Sequence, residues 1–418
     1  MLHRTVLFGC LLAVACGDDS TSGGGGAGAA GGGPSTGGST STDGGGPSTG
    51  GSGAGTSAGG EGTGAGPTGG APPCTASTLE EAVRITDLPI DGASSPRAWT
   101  AQAGSGSVVA WEGSDGSIHV QRLDAEDQPY GDDLLVDGDQ LYGLAATPDD
   151  VALLVSRPPD LMTFVKIDTS GNELAVTNLV GGGDHGVEGV EWFGEFAQTG
   201  RMVQRADGSY AAYHALHRRW PDGIGHQGDT LRLLSSGGAA AGGGWGWGCS
   251  HSMDQRLADG PNGLVPICIA DCYPGKGIYF NHNQAQLTDD PGANCMGGYS
   301  TELGGLVADA SGFFLVYQDD SGGAHLGAFS TTGQPVNERA LSVPGSSRLA
   351  RYDGGLLLGS GNTTLQRLDA SLADLGGPAS IGAPLPDADF ESRSDGEVAW
   401  ASAAGGTLSV VRVRVCEP

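Results

Sequence analysis

The chain is short of basic residues, of aromatics and of long apolar runs, and each shortage closes off a class of function. Only 20 Lys and Arg stand against 48 Asp and Glu, a formal net charge of −28 at pH 7. Binding a nucleic acid or an anionic bilayer by charge needs clustered cations that displace counterions, so nucleic acid is excluded as a partner. No apolar run reaches the roughly 18 residues that a spanning helix needs. From Ser95 onward no segment keeps a 3.6-residue hydrophobic period, which removes the helical classes. Aromatics make up 6% of the 418 residues, so the few Trp present are worth locating individually. Glycine is the abundant residue, 78 in all. Its distribution is uneven: 25 of the 57 residues from Gly17 to Pro73 are Gly, and the part able to fold starts near Cys74.

The first residues, Met1-Leu2-His3-Arg4, precede an apolar stretch from Val6 to Ala15. A basic start and about ten apolar residues fit a secretory signal, here residues 1–15, too short to remain as a span. Ala13-Val14-Ala15-Cys16 resembles the lipobox of bacterial lipoproteins, which implies that Cys16 becomes the lipidated N-terminus and that the membrane is reached through a lipid anchor. Cys10 is a rival acceptor, but bulky Phe8 stands where a small residue is needed. An ordinary secretory signal, with Cys16 unmodified, is the alternative. Residues 16–73 carry almost no apolar bulk and cannot recover ordering entropy by burial, so a disordered tether with a span of roughly 40 Å is expected. A signal, a Gly/Ser-rich leash and an acidic Gly-rich body resemble myxobacterial-type lipoproteins, which implies a cell-envelope location, in the outer membrane and facing the periplasm or the cell surface.

With Cys10 removed and Cys16 lipidated, Cys74, Cys249, Cys268, Cys272, Cys295 and Cys416 remain. In an exported chain six thiols suggest three disulfides. Cys74 opens the body and Cys416 nearly ends it, so a Cys74–Cys416 bond is expected to clasp the termini. A hairpin pairing Ser250–Leu257 with Leu264–Asp271 about the Asp259–Gly263 turn would set Cys249 opposite Cys272. That leaves Cys268 for Cys295.

The body, residues 74–418, alternates short apolar or β-branched runs with Gly, Asp, Asn and Ser turns, an all-β signature. One series runs Arg97–Ala103, Ser107–Glu112, Ser117–Asp124 and Asp133–Val136. Its third strand recurs: Val120-Gln121-Arg122-Leu123-Asp124-Ala125 is echoed by Leu365-Gln366-Arg367-Leu368-Asp369-Ala370, with weaker copies ending at Asp168, Ser235, Thr288 and Ser330. The marker spacings are 44, 67, 53, 42 and 39 residues. Four strands per 40–50 residues predict propeller blades; paired β-sandwiches would not repeat a third strand. The count is seven, with the last three strands, Ala388–Arg393, Glu397–Ser402 and Thr407–Val415, completed by the lone N-terminal strand Ala82–Thr86. A single all-β propeller closed by strands from both ends is the expected fold.

The excess length falls in residues 180–298, on the third and fourth blades, together with most of the His, four of the seven Trp and four of the six mature Cys. Loops on a rigid scaffold are the usual place for function. His226, His251, His282 and Asp229, with His214 as a further candidate, offer imidazole and carboxylate to a divalent metal, the one cofactor expected. The arrangement is similar to polysaccharide lyases that are propellers with a His-lined metal site, which implies a metal-dependent extracytoplasmic lyase or hydrolase. The bland alternative makes these His hydrogen-bonded loop residues. His214 and His217, three apart in one strand, should face opposite sides. Trp220, Trp245, Trp247 and Tyr273 suggest instead a stacking platform for a glycan, or a face for a protein partner. Binding of a ligand or partner at the envelope is the leading expectation and the metal enzyme the second.

Overall fold

The computed structural model describes residues 78–157, 161–179, 191–194, 199–219, 225–246, 248–249, 254–270, 275–281, 285–288, 301–352, 355–386 and 388–414. The expected signal and tether, Cys16, Cys74 and Cys416 lie outside them. One helical turn, α1 (Leu79–Ala82), is capped by Thr78, whose Oγ1 accepts from the Glu81 amide. It leads into β1 (Val83–Pro89). Everything else among the described residues is strand and turn, as the alternation predicts.

The strands form successive antiparallel meanders. The first is β2 (Ala93–Ala103), β3 (Gly106–Gly113), β4 (Ser117–Leu123) and β5 (Pro129–Asp137). The second is β6 (Gln140–Ala146), β7 (Asp150–Arg157), β8 (Leu161–Asp168) and β9 (Glu173–Asn178). In the third, β10 (Glu191–Gly194) and β11 (Gly200–Gln204) both pair with β12 (Tyr210–Arg219), followed by β13 (Gly225–Leu234) and β14 (Ala240–Trp245). The fourth contains β15 (Gln255–Gly260), β16 (Gly263–Ala270), β17 (Gly277–Phe280) and β18 (Ala285–Gln286); the fifth, β19 (Glu302–Ala308), β20 (Gly312–Gln318), β21 (Ala324–Ser330) and β22 (Pro335–Leu341). The sixth is β23 (Arg348–Tyr352), β24 (Gly355–Ser360), β25 (Thr364–Asp369) and β26 (Ala379–Ser380). Last come β27 (Glu391–Ser392), β28 (Val398–Ala404) and β29 (Thr407–Val413), and β1 adds to the outer side of β29 from Val83↔Val413 to Pro89↔Thr407. A chain that ends one strand short thus borrows it from its own start, which buries two edges that would otherwise invite foreign strands. The single pair Arg97↔Ser402 joins this closing set to the first meander.

Burial follows position within each meander. Every residue of β3 is buried, whereas the outermost β5, β9 and β22 are mostly exposed, apolar Leu135, Leu174 and Val336 included. Each meander shares one apolar cluster with the next: Val108 and Ile118 with Leu153 and Val165, Leu154 and Phe164 with Tyr210, Tyr213 with Leu257, Ile267 with Phe313, Val316 with Leu356, Leu357 with Trp400, and Val410 back to Val109. The first strands touch in the same cyclic order, β2, β6, β11, β15, β19, β23, β27 and again β2. This is the β-propeller arrangement of radially repeated sheets around an axis.

The recurring third strand has a local cause. Asp124, Asp168 and Asp369 each accept, through Oδ1, the amides two and four residues on, and Ser330 Oγ does the same. Three residues past each marker the backbone enters the left-handed region, at Asp127 (φ 61°), Gly171 (φ 83°), Gly238 (φ 85°), Gly333 (φ 77°) and Leu372 (φ 70°). The side chain therefore closes a tight turn whose left-handed residue is Gly at three of the five positions. One marker was misplaced: Ala285–Thr288, expected as a third strand, contains the fourth strand β18, and the third is β17. Moving the marker from Thr288 to Asn281, itself at positive φ, changes the neighbouring spacings from 53 and 42 to 46 and 49.

Candidate functional site

Asp229 lies in β13, completely buried between the third and fourth meanders. Tyr213 Oη donates to its Oδ2 at 2.6 Å. Burial outweighs that bond and raises the Asp229 carboxyl to about 7. Beside it runs a Cys249–Cys268 disulfide; the carboxylate and both sulfurs lie within 4.8 Å of one another. This bond corrects the expected Cys249–Cys272 and Cys268–Cys295 pairs, since each needs a sulfur already used. The reason is the ladder: β15 pairs with β16 only from Gln255↔Cys268, and the chain before it is held to β13 by Gly248 N donating to Asp229 O at 2.9 Å. Cys249 is thereby brought under the sheet and not out along a longer hairpin. Cys272 and Cys295 lie outside the described residues.

Thiols bound as a disulfide offer no thiolate to a metal. Among the other expected ligands, His226 has its backbone in β13 opposite Arg218, while its side chain, His251 and His282 lie outside the described residues. His214 is fully buried in β12, its Nδ1 3.0 Å from Ala215 O, and burial lowers it to about 4, so the ring is neutral at pH 7. Trp245 packs edge-on to Tyr213, with ring centres 5.9 Å apart, inside the cluster around Cys249. Trp220, Trp247 and Tyr273 lie outside the described residues.

A different site emerges on the axis. The first strands enclose a cavity of about 410 Å³, lined by Trp99, Gln102, Arg201, Ala258, Asp389 and Glu391 among others. The same side chain recurs in the inner strands, Arg97 in β2, Arg201 in β11, Arg256 in β15 and Arg348 in β23, and Arg201 is the one of them that lines the cavity. Asp389, just before β27, reaches across the axis, and its Oδ2 accepts from Arg201 Nε at 2.8 Å, with Arg256 Nε 4.0 Å from Oδ1. Burial would raise this carboxyl, but Arg201, Arg256 and Arg348 together hold it below the usual carboxylate value. Burial lowers Arg201 to about 10, which leaves it charged at pH 7. Arg256 ties its own strand to the next inner strand, donating to Gly304 O (2.7 Å) and Leu303 O (2.5 Å) as well as pairing with Asp254. Farther in, burial raises Glu391 to about 7. Sequence reasoning missed this site. The signal was an Arg followed by an apolar residue in four first strands: Arg97-Ala98, Arg201-Met202, Arg256-Leu257 and Arg348-Leu349.

A β-propeller with a charged axial cavity is the class that the strand ladders and the site define. No protein-family model and no curated protein matches the chain. Among solved structures, BBS1N in complex with ARL6DN is similar at 13% identity and a TM-score of 0.47, over 79% of this chain and 96% of that one. BamB from Moraxella catarrhalis is similar at 11% identity and a TM-score of 0.41, over 80% and 99%. The computationally designed Ika8 protein is similar at 17% identity and a TM-score of 0.40, over 77% and 98%. The assignment of architecture rests on the ladders and not on these likenesses.

Proposed function

We propose that this chain is a lipid-anchored envelope protein, tethered from Cys16 through residues 16–73, that presents a seven-bladed propeller as a binding scaffold with its ligand seat on the axis. One observation carries the binding reading: a cavity of about 410 Å³, within the range of small-ligand sites, whose wall combines apolar positions with converging charged groups. The seven-blade count is supported by the cyclic order of the inner strands and by β1 completing the last set. The anchor and the outer-membrane location are supported by residues 1–16 alone. A glycan and a protein partner both remain ligand classes for the scaffold.

The test is capture of ligand on glycan and peptide arrays by the purified chain and by Ala258→Trp, which puts an indole into the cavity. Loss of captured ligand in the variant is the expected result; capture that the variant leaves unchanged removes the axial seat. Radiolabelled palmitate entering the chain but not Cys16→Ser tests the anchor separately, and equal labelling of both would remove it.

A further inference from the structure

The scaffold reading leaves the chemistry of the ligand open, and two of the inner-strand arginines supply it. Arg97 and Arg201 come from β2 and β11, the two inner strands that flank β6. The Arg97 guanidinium lies 5.8 Å from the centre of the Tyr142 ring, and that of Arg201 lies 5.8 Å from the Trp99 ring. Trp99 is itself fixed to β6, donating from Nε1 to Leu141 O at 3.3 Å. The two cations therefore rest on adjoining aromatic faces, a placement that holds a guanidinium flat without consuming its hydrogen-bond donors.

Three of the inner-strand arginines differ in what they have left to give. Arg256 is spent on Gly304 O, Leu303 O, Gln255 O and Asp254. Arg201 commits Nε to Asp389 and Nη1 to Gly200 O, both at 2.8 Å; this sets the plane of its fork and leaves Nη2 without a partner among the described residues. The Arg97 guanidinium has no hydrogen bond or ion pair there at all, only the Tyr142 face. Unspent guanidinium donors, at Arg201 in the cavity wall and at Arg97 two residues before the wall residue Trp99, are a local inversion of sign in a chain of net charge −28.

Resting on the scaffold reading, we propose that Arg97 and Arg201 form a seat for the carboxylate of a small acidic saccharide, whose ring enters the axial cavity. A planar carboxylate matches guanidinium donors in number and geometry. Gln204 in the cavity wall can answer a sugar hydroxyl through its Oε1, and the volume suits a sugar unit or two and no folded partner. Asp389 is a positioning residue that aims Arg201. Asp259 and Glu391 also line the cavity; Asp259 lies 3.6 Å from Arg205, and Glu391, raised to about 7 by burial, is part-protonated near neutrality.

The test is titration calorimetry of the purified chain with trigalacturonate and with neutral galactotriose. The acid is expected to bind at least about tenfold more tightly than the neutral sugar. Arg97→Gln should remove most of that preference with an unchanged thermal midpoint, and Arg97→Lys should restore only part of it. Equal binding of both sugars, unaffected by Arg97→Gln, overturns the carboxylate seat and leaves the scaffold intact. Binding of neither sugar, with array ligands still lost on Ala258→Trp, overturns the saccharide class alone. If Ala258→Trp also loses nothing, the scaffold reading falls with it.

Discussion

Replacing Asp127 with Gly tests how the ring is closed. Asp127 is fully buried at the third position after the Asp124 marker, in the turn that leaves β4. Its Oδ1 accepts from Arg412 Nε at 2.7 Å and also from Arg412 Nη2, and its Oδ2 accepts from Arg84 Nη2 at 2.7 Å. Arg84 is in β1 and Arg412 in β29, so one carboxylate of the first meander holds both strands that meet at the closure. Ser107 Oγ adds a second layer, accepting from Arg412 Nη2 at 3.1 Å and Arg393 Nη1 at 2.8 Å. Gly171, Gly238 and Gly333 occupy the same turn position elsewhere, so Asp127 holds a strained left-handed φ for the sake of its carboxylate. In Asp127→Gly, buried Arg412 keeps the Ser107 hydroxyl and, among the described carboxylates, Glu397 at 3.3 Å. Breaking a buried ion pair costs about 3–5 kcal/mol, and relief of the left-handed residue returns about 1 kcal/mol, which leaves a net loss of about 2–4 kcal/mol. At about 2.1 cal/mol/K per residue, unfolding Gly70–Pro418 carries an entropy near 0.7 kcal/mol/K, so the midpoint should fall by about 3–6 °C. Urea titration and thermal melting read both figures. Arg84→Ala should cost under about 1 kcal/mol, because that side chain is 43% exposed and exposed pairs contribute little. A loss below about 0.5 kcal/mol in Asp127→Gly, or additivity with Arg412→Met in a double-mutant cycle, would refute the clasp.

Three further outcomes are expected. Asp229 holds its proton more tightly when folded, at about 7 against an ordinary 3.8, so the folded state binds more protons between those values and loses stability as pH rises through them. Asp229→Asn should therefore gain on the wild type by up to a few kcal/mol between about pH 4 and pH 8 in denaturant titrations, and a gap independent of pH would contradict the buried acid. Peptide mapping without reduction should recover Cys249 linked to Cys268, and replacing both with Ser should cost about 3 kcal/mol for a loop of 19 residues; a Cys249–Cys272 peptide would restore the hairpin expectation. A Cβ on Gly305 would stand 2.1 Å from Leu349 N, between β19 and β23, so Gly305→Ala should cost about 3 kcal/mol or more by overpacking, and a neutral effect would show that these inner strands can separate.

What was legible in the sequence was what local backbone chemistry writes into consecutive residues. The Leu-Asp pairs at 123–124 and 368–369 can be read because the marker side chain must bond amides two and four residues on, whatever surrounds it. Strand β1 can be read because an alternating segment without a hairpin partner has to find one elsewhere. The fourth meander was misphased because β18 is only two residues long and β17 four, too short for a period of two to declare itself, and because the register of β15 on β16 sets where Cys249 can reach. The axial site was invisible for the opposite reason. Arg201, Arg256 and Arg348 are far apart in sequence and meet around Asp389 only when the inner strands are gathered on one axis. Within any window each is a cation among small, polar and apolar residues with nothing to mark it, and only strands aligned by position in the meander bring out the recurrence.

The distribution of cations carries this further. Lys166 Nζ donates to Ser236 O at 2.9 Å across the second and third meanders, Arg122 Nη1 to Pro148 O at 3.0 Å across the first and second, and Arg339 pairs with Asp374 at 2.7 Å across the fifth and sixth. Arg84, Arg393 and Arg412 serve the closing seam. A chain with 20 cations against 48 anions has thus placed many of its cations at joints between sheets. The field beyond about one Debye length, roughly 8–10 Å, is then set by the acidic excess, which turns away extended polyanions before they touch. Beside the cavity the nearest charges decide, and there Arg201 in its wall and Arg97 near Trp99 retain donors. A small acid can reach a seat that a long polyanion cannot approach, so raising the salt should weaken the short contact while relaxing the outer repulsion, and selectivity for short over long acidic chains should shrink as ionic strength rises.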